Sequence, residues 1–464
     1  MHAAPAAFAQ MRRTATPPWW RDAITALCWT RATVVAALWL HGGALAQLHG
    51  SAAEQLTSLG RLTGLIAADL LLVQVLLMAR IPAVERSYGQ DELARRHRVV
   101  GFTSFTLLLA HVVLIVLGYA GADHSNVLGE TWTLVRTYPG MLLATAGTGL
   151  IVLVTVTSIR LARRKLRYES WHLLHLYAYL GVGFSVPHEI WTGADFATSS
   201  AARVYWWGSY LLAAGAVIGY RIALPVYRSL LHRLVVSEVV RESVDVVSVR
   251  MTGRHLQRLS VGAGQFFVFR FLDGPGWTRG NPYSLSASPD GRGLRITVKD
   301  LGADSARLTH LRPGTRVLIE GPYGRLTAER RRTRRVVLMA CGIGITPIRA
   351  LLEELEYAPG AATLIYRART PADFVLWPEV DAIARARGVA VHYLSGPRIA
   401  DRASWMPESA AGWSDATALL HLVPDLPAAD LFVCGPDSWM DAVRAAAVDA
   451  GLPVGQLHEE RFAW

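Results

Sequence analysis

Only three cysteines occur in 464 residues, Cys28, Cys341 and Cys434, and no two form a Cys-x-x-Cys pair. This argues against a disulfide framework and against an iron–sulfur cluster, which usually takes four cysteine ligands. No run of bases is interleaved with aromatics, so the formal charge of +11 does not point to nucleic acid. The arginines cluster instead between apolar stretches. Residues 1–25 contain Arg12, Arg13 and many alanines but lack an apolar core of their own. They read as a cytoplasmic tail rather than a cleaved signal peptide. No internal repeat is present.

Apolar residues are abundant, at 52% of the chain, but the long apolar runs stop near residue 226. At roughly 150 residues per domain, the length suits about three domains. Six membrane spans are expected, at about 27–48, 59–79, 97–120, 141–161, 172–190 and 204–224. Arg86, Arg95, Arg96 and Arg98 follow the second span, and Arg163, Arg164, Lys165 and Arg167 the fourth. Arg12, Arg13 and Arg21 precede the first, and Arg228 and Arg233 follow the sixth. The segment 49–59 has no Lys or Arg, and 121–140 has only Arg136. The positive-inside rule therefore places both termini in the cytoplasm, with an even number of crossings between them.

The third span carries His97 and His111, fourteen residues apart, and the fifth carries His175 and His188, thirteen apart. Intramembrane imidazoles are costly unless they bind something and mark a functional site. Two on each of two helices supply four axial ligands, enough for two bis-His haems. Fourteen helical residues separate the two levels by roughly 21 Å, within a hydrocarbon core about 30 Å thick. Fourteen residues return to within about 40° of one helix face, whereas thirteen miss by about 140°. The fifth span is therefore expected to be kinked or locally unwound, with Gly181, Gly183 and Pro187 permitting it. His172 is the alternative to His175. His41, alone in its span, reads as a partner in a helix–helix hydrogen bond.

Beyond residue 230 the pattern changes. Short alternating segments at 244–251, 265–271, 283–287 and 294–298, separated by Gly and Pro, predict a small antiparallel barrel. From residue 335, apolar strands alternate with helical stretches at 336–340, 348–355, 362–366, 377–387, 389–394, 431–434 and 440–450. This order predicts a parallel α/β sheet. The basic run 330–335, broken only by Thr333, reads as a solvated surface between the two soluble domains.

The strongest local motif is Met339-Ala340-Cys341-Gly342-Ile343-Gly344-Ile345-Thr346-Pro347. A strand enters a Gly-containing turn and then a helix, with Thr346 as expected N-cap and Pro347 in the first turn. A helix start of this kind suits a phosphate, although the spacing is not Gly-x-Gly-x-x-Gly. Upstream stand Asn281-Pro282-Tyr283-Ser284, then Gly302-Ala303-Asp304-Ser305, then Gly321-Pro322-Tyr323-Gly324. Downstream come Cys434-Gly435-Pro436 and the ending Glu460-Arg461-Phe462-Ala463-Trp464. In this order the motifs resemble the ferredoxin–NADP reductase superfamily. With six spans and paired histidines ahead of them, the chain from about residue 25 to residue 464 resembles the ferric reductase/NADPH oxidase family.

The resemblance implies a multi-domain membrane protein. A six-helix transmembrane di-haem domain (26–226) would precede an antiparallel β-barrel FAD domain (232–328) and an α/β parallel-sheet NAD(P) domain (333–464). His97, His111, His175 and His188 would bind two b-type haems. Tyr283 would lie against the flavin and Ser284 near its reactive nitrogen, with Asn281, Pro282 and Thr297 beside them. Gly302, Ala303, Asp304 and Ser305 would hold the FAD pyrophosphate. Gly342, Ile343, Gly344, Thr346 and Pro347 would meet the nicotinamide nucleotide. Cys434, with Gly435 and Pro436, would lie near hydride transfer, and Phe462 near the flavin ring. Many superfamily members have Arg where Asn281 stands, which leaves Arg279 or Lys299 to neutralise the pyrophosphate. Oxygen-reducing relatives often have His where this chain has Ile115, while Arg61 matches a basic residue of the family.

Arg367 and Arg369, after the strand 362–365, suit a 2′-phosphate and so NADPH over NADH. The expected activity is NADPH-driven electron transfer across a bacterial plasma membrane through FAD and two haems. The acceptor would be oxygen, giving superoxide, or a ferric chelate. A haem electron carrier reduced by a partner protein is the alternative of another class. No nucleic acid is expected as partner, and the lipid bilayer is.

Overall fold

In the computed structural model the chain divides into two compact units, one from Pro17 to Arg221 and one from Ile222 onward. The structure describes residues 19–159, 168–194, 196, 199–274 and 276–461. Arg163, Arg164, Lys165, Arg167 and Phe462 lie outside these residues.

The first unit is helical: α1 (Trp20–His41), α2 (Ala52–Met78), α3 (Gln90–Ala122), α4 (Val127–Thr137), α5 (Met141–Ser158), α6 (Tyr168–Thr192) and α7 (Ser200–Ala216). Among the described residues, five helices are long and apolar enough to cross a membrane. They are α1, α2, α3, α5 and the stretch Ser200–His232 that begins with α7. Helix α6 is long enough at 25 residues, but its histidines and tyrosines dilute its apolar character. Local chemistry starts several of these helices. Ser51 and Glu54 form a reciprocal capping box at α2. Asn126 accepts from the Gly129 amide at 2.7 Å to start α4, a helix between the third and fourth expected spans. Helix α3 begins seven residues before the expected start at 97, so His97 sits within it. Helix α6 is unbroken with Pro187 inside it, so the expected local unwinding is absent.

Glycines let these helices approach closely, as small residues do in membranes. A Cβ on Gly64 would lie 2.5 Å from His111 Nδ1, and one on Gly60 3.0 Å from Ile115. A Cβ on Gly147 of α5 would lie 2.6 Å from the Gly181 carbonyl of α6.

The second unit opens with α8 (Leu224–His232), then β1 (Val235–Arg241), β2 (Val246–Thr252), β3 (Phe266–Phe271), β4 (Asn281–Ser284), β5 (Gly293–Lys299) and β6 (Val317–Tyr323). These strands form two antiparallel three-stranded sheets, β1-β2-β5 and β4-β3-β6. Single bridges at Val235–Arg316 and Leu285–Ile296 join them. Phe267, Phe269, Leu285 and Ile296 fill one core shared by both sheets.

Next come β7 (Arg335–Cys341), α9 (Ile345–Glu354), β8 (Ala362–Ala368), α10 (Trp377–Arg387), β9 (Ala390–Ser395), α11 (Asp415–Leu422), β10 (Ala429–Cys434), α12 (Asp437–Asp449) and β11 (Leu457–Glu460). The sheet is parallel, with order β11-β10-β7-β8-β9. Both faces are covered, one by a core around Leu351, Leu364 and Phe432, the other by one around Met339, Val433 and Val443. The run 330–335 is tied to the sheet rather than merely solvated. Buried Asp430 accepts from the Arg332 and Thr333 amides at 2.7 and 2.6 Å and from His458 at 2.7 Å.

Candidate functional site

In the helical unit the four histidines meet in two pairs. The His97 and His175 ring centroids are 5.9 Å apart, and those of His111 and His188 are 6.5 Å apart. Because α3 carries one member of each pair and α6 the other, the two helices run side by side over both levels. His111 Nδ1 lies 2.8 Å from the Gly60 carbonyl of α2, and His188 Nδ1 lies 2.5 Å from the Ser185 carbonyl. His188 Nδ1 thus finds its partner within its own helix, three residues back. His175 Nδ1 lies 3.3 Å from Ser158 Oγ of α5, which also receives Trp171 Nε1–H at 3.4 Å. His97 Nδ1 is buried without a hydrogen-bond partner. A Nδ1–H held by an acceptor fixes the tautomer and leaves Nε2 as the ligating atom.

Two imidazoles that share one metal, with nitrogens at about 2 Å and ring centres about 1.1 Å behind them, stand about 6 Å apart. Both pairs fit two imidazoles that share one metal by this test. Among the described residues there is no cluster of three or more His, Cys, Asp or Glu to hold another metal. Arg61 follows Gly60, the His111 acceptor, and reaches Gly42 O at 3.3 Å and Gln47 Oε1 at 3.2 Å. This places it at the His111 level.

In the second unit, Tyr283 on β4 is half-buried and stacks on Phe269 at 6.4 Å. Beside it Ser284 Oγ is buried with no partner, an orphaned hydroxyl that suits a flavin heteroatom. Asn281 and Pro282 complete the strand. Thr297 is buried, and its hydroxyl donates to Ser286 Oγ at 2.8 Å. Lys299 pairs with Asp245 at 3.2 Å. Gly302, at φ +151°, has open space where a Cβ would stand. Ala303 and Asp304 follow in a short helical turn, and Ser305 Oγ receives the Leu301 amide at 2.8 Å. Arg279 and Arg307 both lie near Gly276.

The parallel sheet starts at β7, proceeds to β8 and β9, then returns to β10 on the other side of β7. Ligands bind at such a switch point, beyond the carboxyl ends of the strands. Cys341-Gly342-Ile343-Gly344 ends β7 and Cys434-Gly435-Pro436 ends β10, so the fold brings the two motifs together. Gly344 and Gly435 serve this approach. A Cβ on Gly344 would lie 2.3 Å from the Cys434 carbonyl, and one on Gly435 2.9 Å from Cys341 Cβ. Gly342, at φ +56°, has open space where a Cβ would stand, as a cradle for phosphate requires.

Thr346 is not the N-cap. Gly344 occupies that position, and Thr346, inside the first turn, donates to the Ile343 carbonyl at 3.0 Å. Pro347 lies in that first turn, as expected. Burial pushes the Cys434 thiol up, and its Sγ faces the Glu460 carbonyl at 3.6 Å. Burial also pushes Cys341 up to about 11, against the pull of Arg367 and Arg398. Neither cysteine is therefore a thiolate at neutral pH. Arg367 is only 4% exposed and binds the Ala368, Gly396 and Pro397 carbonyls, the last two at 2.7 and 3.0 Å. Arg369, two residues on, is exposed.

Residues 63–186 match the family model described as ferric reductase like transmembrane component. The match includes His97, His111 and His175 and stops two residues before His188. The C-terminal half is similar to the ferredoxin–NADP reductase B of Sorangium cellulosum, 28% identical over 47% of this chain and 96% of that protein. It is also similar to the ferredoxin–NAD(+) reductase component of the Xanthobacter autotrophicus alkene monooxygenase system, 32% identical over 43% of this chain and 61% of that protein. The glycine betaine monooxygenase reductase subunit of Chromohalobacter salexigens is 27% identical over 50% of this chain, and 64% of that protein is covered. A solved ferredoxin NADP+ reductase from Neisseria gonorrhoeae aligns with 49% of this chain and 97% of its own at 18% identity and a TM-score of 0.41.

The chain is thus an integral membrane protein in which a ferric reductase-like transmembrane component precedes a ferredoxin–NADP reductase-like module. That is the arrangement of the ferric reductase/NADPH oxidase family.

Proposed function

We propose that this NAD(P)H-dependent oxidoreductase carries electrons from NADPH across the membrane, through FAD and two b-type haems, to an acceptor on the far side. The observation that carries the reading is the double histidine pairing, with both centroid separations matching two ligands of one iron. FAD supplies the conversion of a hydride into single electrons, and the haems supply one-electron sites at two depths.

The protein's own residues bind and orient these groups. Gly60, Ser185 and Ser158 hold ligand tautomers through Nδ1, and Gly64 leaves room for the His111 ring. Tyr283 and Ser284 present a flat face and a free hydroxyl to the flavin. The turns after β7 and β10 receive the nicotinamide nucleotide, and Cys434, neutral and fully buried, packs behind them. Phe462 is assigned to the flavin ring by resemblance alone. Arg61 supplies fixed positive charge near the outer histidine pair, suited to a propionate or to an anion formed there.

Helix α6 counts as the fifth of six spans, because its histidines are matched to two levels of α3. Six crossings put both termini and the reductase module in the cytoplasm. Oxygen is the first choice of acceptor and a ferric chelate the second. Replacing His111 or His188 by Leu should remove one of two haems per chain, read by pyridine-haemochrome assay. Flavin reduction by NADPH should persist, since the second unit is compact by itself. Two haems retained in both variants would overturn the ligand assignment. A wild-type protein whose flavin and haems stay oxidised with NADPH would instead be a passive carrier.

A further inference from the structure

Two arginines converge on one carboxylate between the strand assigned to the flavin and the turn assigned to the nucleotide. Arg295 of β5 grips Glu379 of α10 with both ends of its guanidinium, at 2.7 and 2.9 Å. Arg349 of α9 reaches the same carboxylate at 2.9 Å and Glu353 at 2.6 Å. Both arginines also donate to the Ser286 carbonyl, Arg295 at 2.7 Å and Arg349 at 3.2 Å. Glu353 in turn receives the Ser288 amide at 2.9 Å. The side chains of Arg295 and Arg349 are 8% and 9% exposed.

The connectivity gives this cluster its reach. Ser286 is two residues beyond Ser284, the orphaned hydroxyl. Arg349 lies on the helix that begins at the Gly342–Gly344 turn. Burial pushes the Glu379 carboxyl up, but the two guanidiniums outweigh this and hold it below the usual range. Two buried cations repel unless an anion lies between them, and Glu353, already committed to Ser288 and Arg349, does not touch Arg295. Glu379 is therefore the anion shared by both guanidiniums, and it braces the direct bonds that Arg349 and Glu353 of α9 make to Ser286 and Ser288. Removing one partner of such a buried group leaves uncompensated charge, which is strongly unfavourable.

We infer that Arg295, Glu379 and Arg349 form an ionic latch that fixes the spacing between the flavin strand and the nucleotide turn. They are positioning residues for hydride transfer, and this role rests on the function proposed above. They act through Ser284 and the Gly342–Gly344 turn and touch neither reactant. Misplacing reacting atoms by about 1 Å can slow a reaction about a hundredfold, so the latch acts on rate more than on affinity.

The test is single-turnover flavin reduction by NADPH in the full-length holoprotein in nanodiscs. Glu379→Gln should lower the limiting rate about tenfold or more, leave the NADPH dissociation constant unchanged and raise the kinetic isotope effect with deuterated NADPH. Glu379→Asp keeps the charge at a shorter reach and should give an intermediate rate, and it supplies the readout if the Gln variant does not fold. An unchanged limiting rate, or a change in affinity alone, overturns the latch. A second readout does not depend on turnover: amide hydrogen exchange over 342–348 without nucleotide. It should quicken in the Gln variant while exchange in β2 stays constant, and equal exchange over 342–348 overturns the latch. A wild-type flavin that NADPH cannot reduce would count against the proposed function, and the exchange data would still decide the latch.

Discussion

At the scale of single residues, the two arginines after β8 have separated roles. Arg367 is buried and spends its donors on backbone carbonyls of its own strand and the 396–397 loop. Its loss would leave those carbonyls unpaired at about 1–3 kcal/mol for a buried group. Arg369 is exposed and is the guanidinium still available to a 2′-phosphate. Arg369→Ala should raise KM for NADPH by about tenfold, one lost charge-assisted contact at about 1.5–3 kcal/mol, and leave KM for NADH nearly unchanged. Arg367→Ala should instead lower the thermal midpoint and affect both cofactors alike. Equal KM changes in Arg369→Ala would assign the phosphate elsewhere. From the sequence, Arg367 and Arg369 looked equivalent, because alternation along a strand does not say which arginine is roofed by the following loop. The pairing of the four histidines was legible for the opposite reason. An ionisable group inside a long apolar run is costly unless it binds something, so its position alone singled it out. Glu379, Arg295 and Arg349 gave no such signal, being ordinary charged residues on amphipathic elements whose meeting depends on tertiary packing.

At the scale of elements, the spans of the first unit were readable with ends off by up to eight residues, whereas several strands were not. β1 and β6 went unrecognised, since neither alternates cleanly: β1 carries Glu238 among valines, and β6 runs through Gly321 and Pro322. Thr346 was misplaced as a cap because a Gly-rich turn can enter a helix without a side-chain acceptor, and Gly344 does so here. What the sequence could not convey was which helical glycines are contacts. Gly147 and Gly149 look alike, yet a Cβ on Gly147 would strike the Gly181 backbone at 2.6 Å and one on Gly149 would meet nothing within 4 Å. Gly147→Ala should therefore force α5 and α6 apart and destabilise by about 1–3 kcal/mol. Gly149→Ala should be neutral or stabilising by up to about 1 kcal/mol through helix propensity. Because Ser158 of α5 reaches His175 of α6, the first variant should also perturb the inner haem spectrum. Unfolding midpoints of the two variants in mixed micelles decide this, and identical values would mean that the helix pair yields freely.

At the scale of the whole molecule, the decisive element is α6. The other five apolar helices alone make an odd number of crossings, which would put the N-terminus and the reductase module on opposite sides of the membrane. The charge pattern argues for an even number, since Arg86, Arg95, Arg96 and Arg98 and the residues flanking the first and last spans belong to one side. The histidines argue the same way from a different direction. His97 and His111 are separated by roughly 21 Å along α3, and α6 keeps a partner at each level, so α6 traverses the same depth despite its weaker apolar character. The polar content that keeps α6 from reading as a span includes the histidines of both pairs. Sealed vesicles of known sidedness test this. With the cytoplasmic face outward, external protease should cleave tags at both termini and added NADPH should be oxidised. With the opposite face outward, neither tag should be cut and external NADPH should be inert, while an external acceptor should still be reduced when NADPH is trapped inside. Cleavage of one tag in each preparation would mean an odd number of crossings, remove α6 from the set of spans and leave the histidine pairs without a path across the membrane.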